Sequence, residues 1–158
     1  MTATPRPTLV DSADASPMRV EHRGGDKFDI NFRGHVVRVD QPVRDGGEDT
    51  APSPTELLIA SLASCVAFYA RRYLARHNLP TDGLAVEATF AMGAKPARVA
   101  AIDVRLIVPA GVPVERLDAL LAVATHCTVH NTLDSEPEVS VTLADVPPAG
   151  QIGGWPRS

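Results

Sequence analysis

Residues 53–65 read Ser53-Pro-Thr-Glu-Leu-Leu-Ile-Ala-Ser-Leu-Ala-Ser-Cys65, and the fold turns on how this stretch is built. Ser53 suits a helix cap, because its hydroxyl can accept from a free N–H of the first turn. Pro54 suits the first helical position, where no N–H donor is needed. Glu56 puts negative charge at the positive end of the helix dipole. From Leu57 the run is apolar nearly all round through Phe68, which predicts a central, buried helix. The helix continues to about Asn78, where Pro80 stops it. Arg71, Arg72 and Arg76 mark its wet end and complement the dipole.

Upstream, residues 1–16 are rich in Pro, Thr, Ser and Ala without periodicity and read as a flexible N-terminal arm. Met18 to Glu21, Phe28 to Phe32 and His35 to Asp40 alternate apolar and polar residues, as strands with one buried face do. His22-Arg-Gly-Gly-Asp-Lys27 and Gly34 supply the turns, so an antiparallel meander is expected. Gln41 to Ser53 is a loop dense in Gly, Asp and Pro. Downstream, Leu84 to Ala91 and Ala101 to Val108 alternate again. Pro113 to His126 is an amphipathic helix with an acidic first turn. A short helical segment opens at Cys127, and Val139 to Leu143 reads as a last strand. The order β-β-β-α-β-β-α-α-β predicts an α+β fold, with antiparallel sheets wrapped over a long central helix. We set the domain at 17–146 and a C-terminal tail at 147–158.

The chain has 158 residues, of which 44% are hydrophobic and 4% aromatic. That supports one well-filled core of Leu, Val, Ile and Ala, and is too short for two ordinary domains. The net charge of -4 and the scattered cations argue against a nucleic-acid partner. Leu57 to Ala70, the longest run without charge, falls short of the ~18 residues of a membrane span. The N-terminus has no apolar leader. A cytoplasmic protein without membrane or nucleic-acid partners is expected, in a reducing compartment where a disulfide would be transient and chemical.

Cys65 and Cys127 are the two cysteines. A thiol in a dry core with a second thiol elsewhere suggests a redox pair, which needs access and a lowered pKa. The plainer alternative is two unrelated buried cysteines.

The stretch Ser53 to Cys65 resembles the first cysteine motif of the OsmC/Ohr family, the osmotically induced and organic hydroperoxide resistance proteins. His126-Cys-Thr-Val-His-Asn-Thr-Leu133, followed by a valine-rich segment, resembles the second. The resemblance spans roughly residues 18–145. It implies an intertwined homodimer with two sites at the subunit interface. It also implies thiol-dependent reduction of organic hydroperoxides, with electrons from a dithiol of lipoyl type and no cofactor. Cys65 is then the attacking thiol and Cys127 the resolving one.

In that family an arginine of the N-terminal hairpin serves the attacking cysteine. Arg23 is the best match, with Arg33 and Arg38 behind it. The best-known peroxidase members carry a glutamate ten residues before the first cysteine. That slot is Thr55 here, and Glu56 follows it as the candidate acid. The chemistry is coherent: a thiolate attacks the peroxide, and the sulfenic acid condenses with Cys127. Apolar surroundings favour a hydroperoxide with an organic tail. A position near a helix N-terminus favours the Cys127 thiolate.

Two other readings stand beside this one. Cys127 and His130, with His126 and a distant Cys65, have the types needed for zinc, although no paired Cys-x-x-Cys exists. A non-enzymatic dimeric binding or stress protein would instead use the cysteines to line an apolar interface pocket. Ser61 and Ser64 lack a nucleophile-elbow pattern and read as small packing residues.

Overall fold

The computed structural model describes residues 17–144. The N-terminal arm at 1–16 and the tail at 147–158 lie outside the described residues. Three strands come first: β1 (Arg19–His22), β2 (Phe28–Phe32) and β3 (His35–Val39). They form an antiparallel meander in the order β1-β2-β3, with Val20 opposite Ile30 and Ile30 opposite Val37. Val20, Ile30 and Val37 therefore share one face, while Val36 points to the other. The β2–β3 turn places Arg33 at φ 47° and Gly34 at φ 78°, the pair of positive dihedrals that a two-residue hairpin requires.

The loop after β3 is organised by a buried aspartate. Asp40 accepts from the N–H and hydroxyl of Thr50 at 3.0 and 2.7 Å and from the Gln41 N–H at 2.8 Å. These donors, Thr50 foremost, hold its carboxyl down to about 2. Gly47 packs against the Gln41 carbonyl so closely that a Cβ there would collide with it. Glycine is the residue that permits this approach.

Helix α1 (Pro54–Arg76) follows. Ser53 caps it as expected: its Oγ accepts from the Glu56 N–H at 3.3 Å, and Glu56 Oε2 accepts from the Ser53 N–H at 2.7 Å. This reciprocal pair is a capping box. By length and composition α1 is apolar enough to cross a membrane. Here it is the core helix of the fold. Ile59, Leu62, Val66, Ala70, Tyr73 and Leu74 form its buried face, at the spacing of one helical stripe.

The expectation of burial nearly all round is corrected. Leu58 and Phe68 lie on the open side, at 40% and 52% exposure. The elements of one chain cover a single face of α1, and sequence hydropathy does not say which chain supplies the other cover.

The strands β4 (Ala85–Ala94) and β5 (Ala97–Ile107) form a long antiparallel hairpin. A register shift at Ala91/Met92 leaves Ala100 without a partner. Val86, Ile102, Val104 and Leu106 pack toward the α1 core. The opposite side carries polar pairs, with Arg105 and Glu87 joined at 2.7 Å. Helix α2 (Leu117–Thr125) follows a single 3-10 turn at Val114–Arg116 and sends Leu120 and Ala124 into the same core. Helix α3 (Thr128–Asp134) closes the fold, with Cys127 as its cap.

The strand expected at Val139 to Leu143 makes no ladder. Val139, Val141 and Leu143 are 79%, 91% and 101% exposed. Alternation signals a segment with a face to bury, and does not name the strand it pairs with.

Candidate functional site

Cys65 lies about three turns into α1, on the flank of its buried stripe, where it is partly exposed. Cys127 is fully buried in the cluster that joins α1 and α2. Sequence puts the two far apart, and the packing of α3 against α1 brings them together. The thiols lie near enough for Cys65 to act on the ionisation of Cys127.

The two sulfurs have different surroundings. Burial pushes the Cys127 thiol above its ordinary range, and the Cys65 thiol beside it pushes the same way. The backbone N–H of His130, 3.4 Å from Cys127 Sγ, opposes this without overcoming it. The sequence expectation of a favoured Cys127 thiolate is therefore corrected. A helix of seven residues supplies a weaker field than complete desolvation removes.

Tyr69, one turn after Cys65, was not singled out by the sequence. Its hydroxyl and Thr128 Oγ1 are 3.0 Å apart. This bond fastens α1 to the first residue of α3 and so holds the Cys127 cap beside Cys65. The four-residue spacing from Cys65 to Tyr69, on one helical face, was the available signal.

The other candidates occupy different places. Arg23 pairs with Asp29 at 2.9 Å and with Glu21 at 3.2 Å. Arg38 approaches the same Asp29 at 3.4 Å. Arg33 stands at the tip of the β2–β3 turn. Within one chain none of the three contacts Cys65. Glu56 closes the capping box, and its bonds to Ser53 lower its pKa. It lines an apolar groove with Ile59, Ala60, Ala63, Ala88 and Phe90.

The zinc reading finds no support in the geometry. His126 Nδ1 donates to the Ala122 carbonyl at 2.7 Å, and His130 Nε2 faces Asp134 at 3.7 Å. Among the described residues no three His, Cys, Asp or Glu side chains converge on one point.

A long helix backed by an antiparallel hairpin, with two adjacent thiols at its middle, defines a two-cysteine α+β protein. The chain belongs to the OsmC-like protein family, whose model matches residues 46–142 and takes in both cysteines. The resemblance read from the two cysteine segments is thus borne out. The chain is similar to a Psychrobacter arcticus 273-4 protein of the osmotic stress induced and detoxification response. The identity is 24%, over 74% of this chain and 87% of that one, with a TM-score of 0.70. It is similar to the organic hydroperoxide resistance protein OsmC of Legionella pneumophila at 17% identity, over 77% and 91% of the two chains, with a TM-score of 0.58. A Vibrio cholerae organic hydroperoxide resistance protein, with captopril bound in one of its active sites, is 16% identical over 80% and 90%, with a TM-score of 0.54. Likeness at these identities shows the fold. No curated protein matches the chain.

Proposed function

We propose that this protein has a redox role in stress defence and acts as a thiol-dependent peroxidase on organic hydroperoxides. The observation that carries this reading is the pairing of a partly exposed Cys65 with a buried Cys127. The accessible sulfur attacks: the Cys65 thiolate takes the terminal oxygen of ROOH, the O–O bond breaks, and ROH leaves with one proton from solvent. Cys65 is then a sulfenic acid. The Cys127 sulfur displaces its hydroxyl, which forms the Cys65–Cys127 disulfide and releases water. A dithiol of lipoyl type returns both cysteines to thiols and leaves as its own cyclic disulfide.

The burial of Cys127 suits the resolving role, because it keeps the peroxide from this sulfur and leaves Cys65 as the accessible one. We further propose an intertwined homodimer. The open side of α1, with Leu58 and Phe68, and the apolar face of the meander are surfaces that a second copy would cover. In that arrangement the hairpin of one protomer carries Arg23 toward Cys65 of the other, where its charge would stabilise the thiolate. Thr55 stands where peroxidase members of the family carry glutamate, so Asp29 and Glu21 are the acids that orient Arg23 here.

The test is intact mass and peptide mapping after one equivalent of cumene hydroperoxide on the fully reduced protein. A fast loss of two hydrogens, mapped to a Cys65–Cys127 link within one chain, is expected. Two free thiols persisting after about an hour, with no disulfide formed on the seconds-to-hours scale of such chemistry, would overturn the reading.

A further inference from the structure

A separate cleft opens at the C-terminal end of α1. Tyr69, Arg72, Tyr73, Arg76, His77 and Val123 line it, around a volume of about 340 Å³. No carboxylate lines it. Among the described residues neither Arg72 nor Arg76 has an acidic partner. The two arginines are four residues apart, hence neighbours on one helical face. Their mutual repulsion is offset only in part by the helix C-terminus.

Arg72 is held over the Phe68 ring at 5.5 Å, which orients its guanidinium and leaves its N–H donors unused. The walls are apolar and fixed. The Tyr73 and His77 rings pack at a tilt, 4.4 Å between centres, and Tyr69 is tied down by Thr128. Tyr73 is 8% exposed, and its hydroxyl is a buried polar atom without a hydrogen-bond partner.

The geometry points to a binding site for an amphipathic monocarboxylate: one planar carboxylate on a short apolar body. A guanidinium fork matches a carboxylate edge to edge, through two parallel N–H···O bonds. The apolar body gains by burial against Tyr69, Tyr73 and Val123. The negative pole of α1 opposes a dianion more strongly than a single charge, which sets a carboxylate above a phosphate. Neither cysteine lines the cleft, which shares only Tyr69 with the thiol pair.

The experiment is an NMR titration of the full-length labelled protein with sodium octanoate, 1-octanol and inorganic phosphate. It follows the arginine Nε–H and tyrosine ring signals. Octanoate is expected to saturate shifts at Arg72, Arg76 and Tyr73. Arg72→Gln and Arg76→Gln should each weaken it about tenfold or more, and Arg72→Lys, which keeps the charge and loses the fork, by less. Cys65→Ser should bind as the parent does, which separates failure of this site from failure of the peroxidase reading. Octanol binding as tightly as octanoate, phosphate saturating the same signals at lower concentration, or unchanged affinity in both Gln variants would overturn the assignment.

Discussion

Removing one hydroxyl from Tyr69 tests whether the bond between α1 and α3 holds the thiols together. Tyr69→Phe keeps the ring and its edge-on contact with Phe68, 5.7 Å between centroids, and deletes only the 3.0 Å bond to Thr128. Thr128 is exposed and Tyr69 half-buried, so water replaces part of what is lost. The expected destabilisation is about 0.5–1 kcal/mol, at the lower end for a neutral hydrogen bond. Thr128→Val removes the same bond from the other side, and the double mutant should add almost nothing further. The bond also aligns Cys127 with Cys65. Losing that alignment lowers the effective concentration of one thiol for the other by about two- to fivefold, by the usual conversion of free energy to an equilibrium constant. Urea unfolding of the reduced protein at one fixed concentration reads the first quantity. Equilibration of the Cys65–Cys127 pair with a dithiol buffer reads the second. A Tyr69→Phe protein that matches the parent in both, with no coupling in the cycle, would refute the reasoning.

Other consequences can be measured directly. Ser53→Ala breaks the capping box and should destabilise the protein by about 1 kcal/mol, seen as a melting temperature a few degrees lower. Asp40 has a folded pKa of about 2, below its unfolded value of ~3.9, so it stabilises the fold above that unfolded value. This contribution should fade as pH falls from ~4 toward ~2, and Asp40→Asn should flatten the stability profile across that window. Iodoacetamide near neutral pH should label Cys65 well before Cys127, because Cys127 is fully buried and its thiol is pushed up in pKa. Equal labelling rates in the folded protein would contradict that asymmetry.

Much of the local structure is legible in the sequence because local rules govern it. Ser53, Pro54 and Glu56 announce the start of α1, and period-two alternation announces the meander and the β4–β5 hairpin. Both cysteines can be marked from their neighbouring residues. What the sequence hides is long-range. Cap chemistry at Cys127 suggests a stabilised thiolate, and only the packed core reveals the desolvation that outweighs it. The Arg23 charge invites pairing with a thiol, yet Asp29 and Glu21 hold it within one chain. Hydropathy marks α1 as apolar on every side, without distinguishing the face covered by Leu120 and Ala124 from the face left open at Phe68. The strand expected at Val139 to Leu143 fails for the same reason.

Among the described residues every strand pair joins neighbours in the chain: β1 with β2, β2 with β3, and β4 with β5. Such hairpins close short loops and belong to the fast end of folding. The two thiols meet only when segments about 60 residues apart dock, which carries a larger loop-closure entropy. The meeting of the two thiols is therefore expected to come late in folding. A nascent chain, or one that has lost the docking of α3, holds two independent cysteines with no resolving partner at hand. On the proposed mechanism, oxidation of such a chain would favour further oxidation or links between chains over the internal disulfide, so peroxide turnover would itself report that folding is complete.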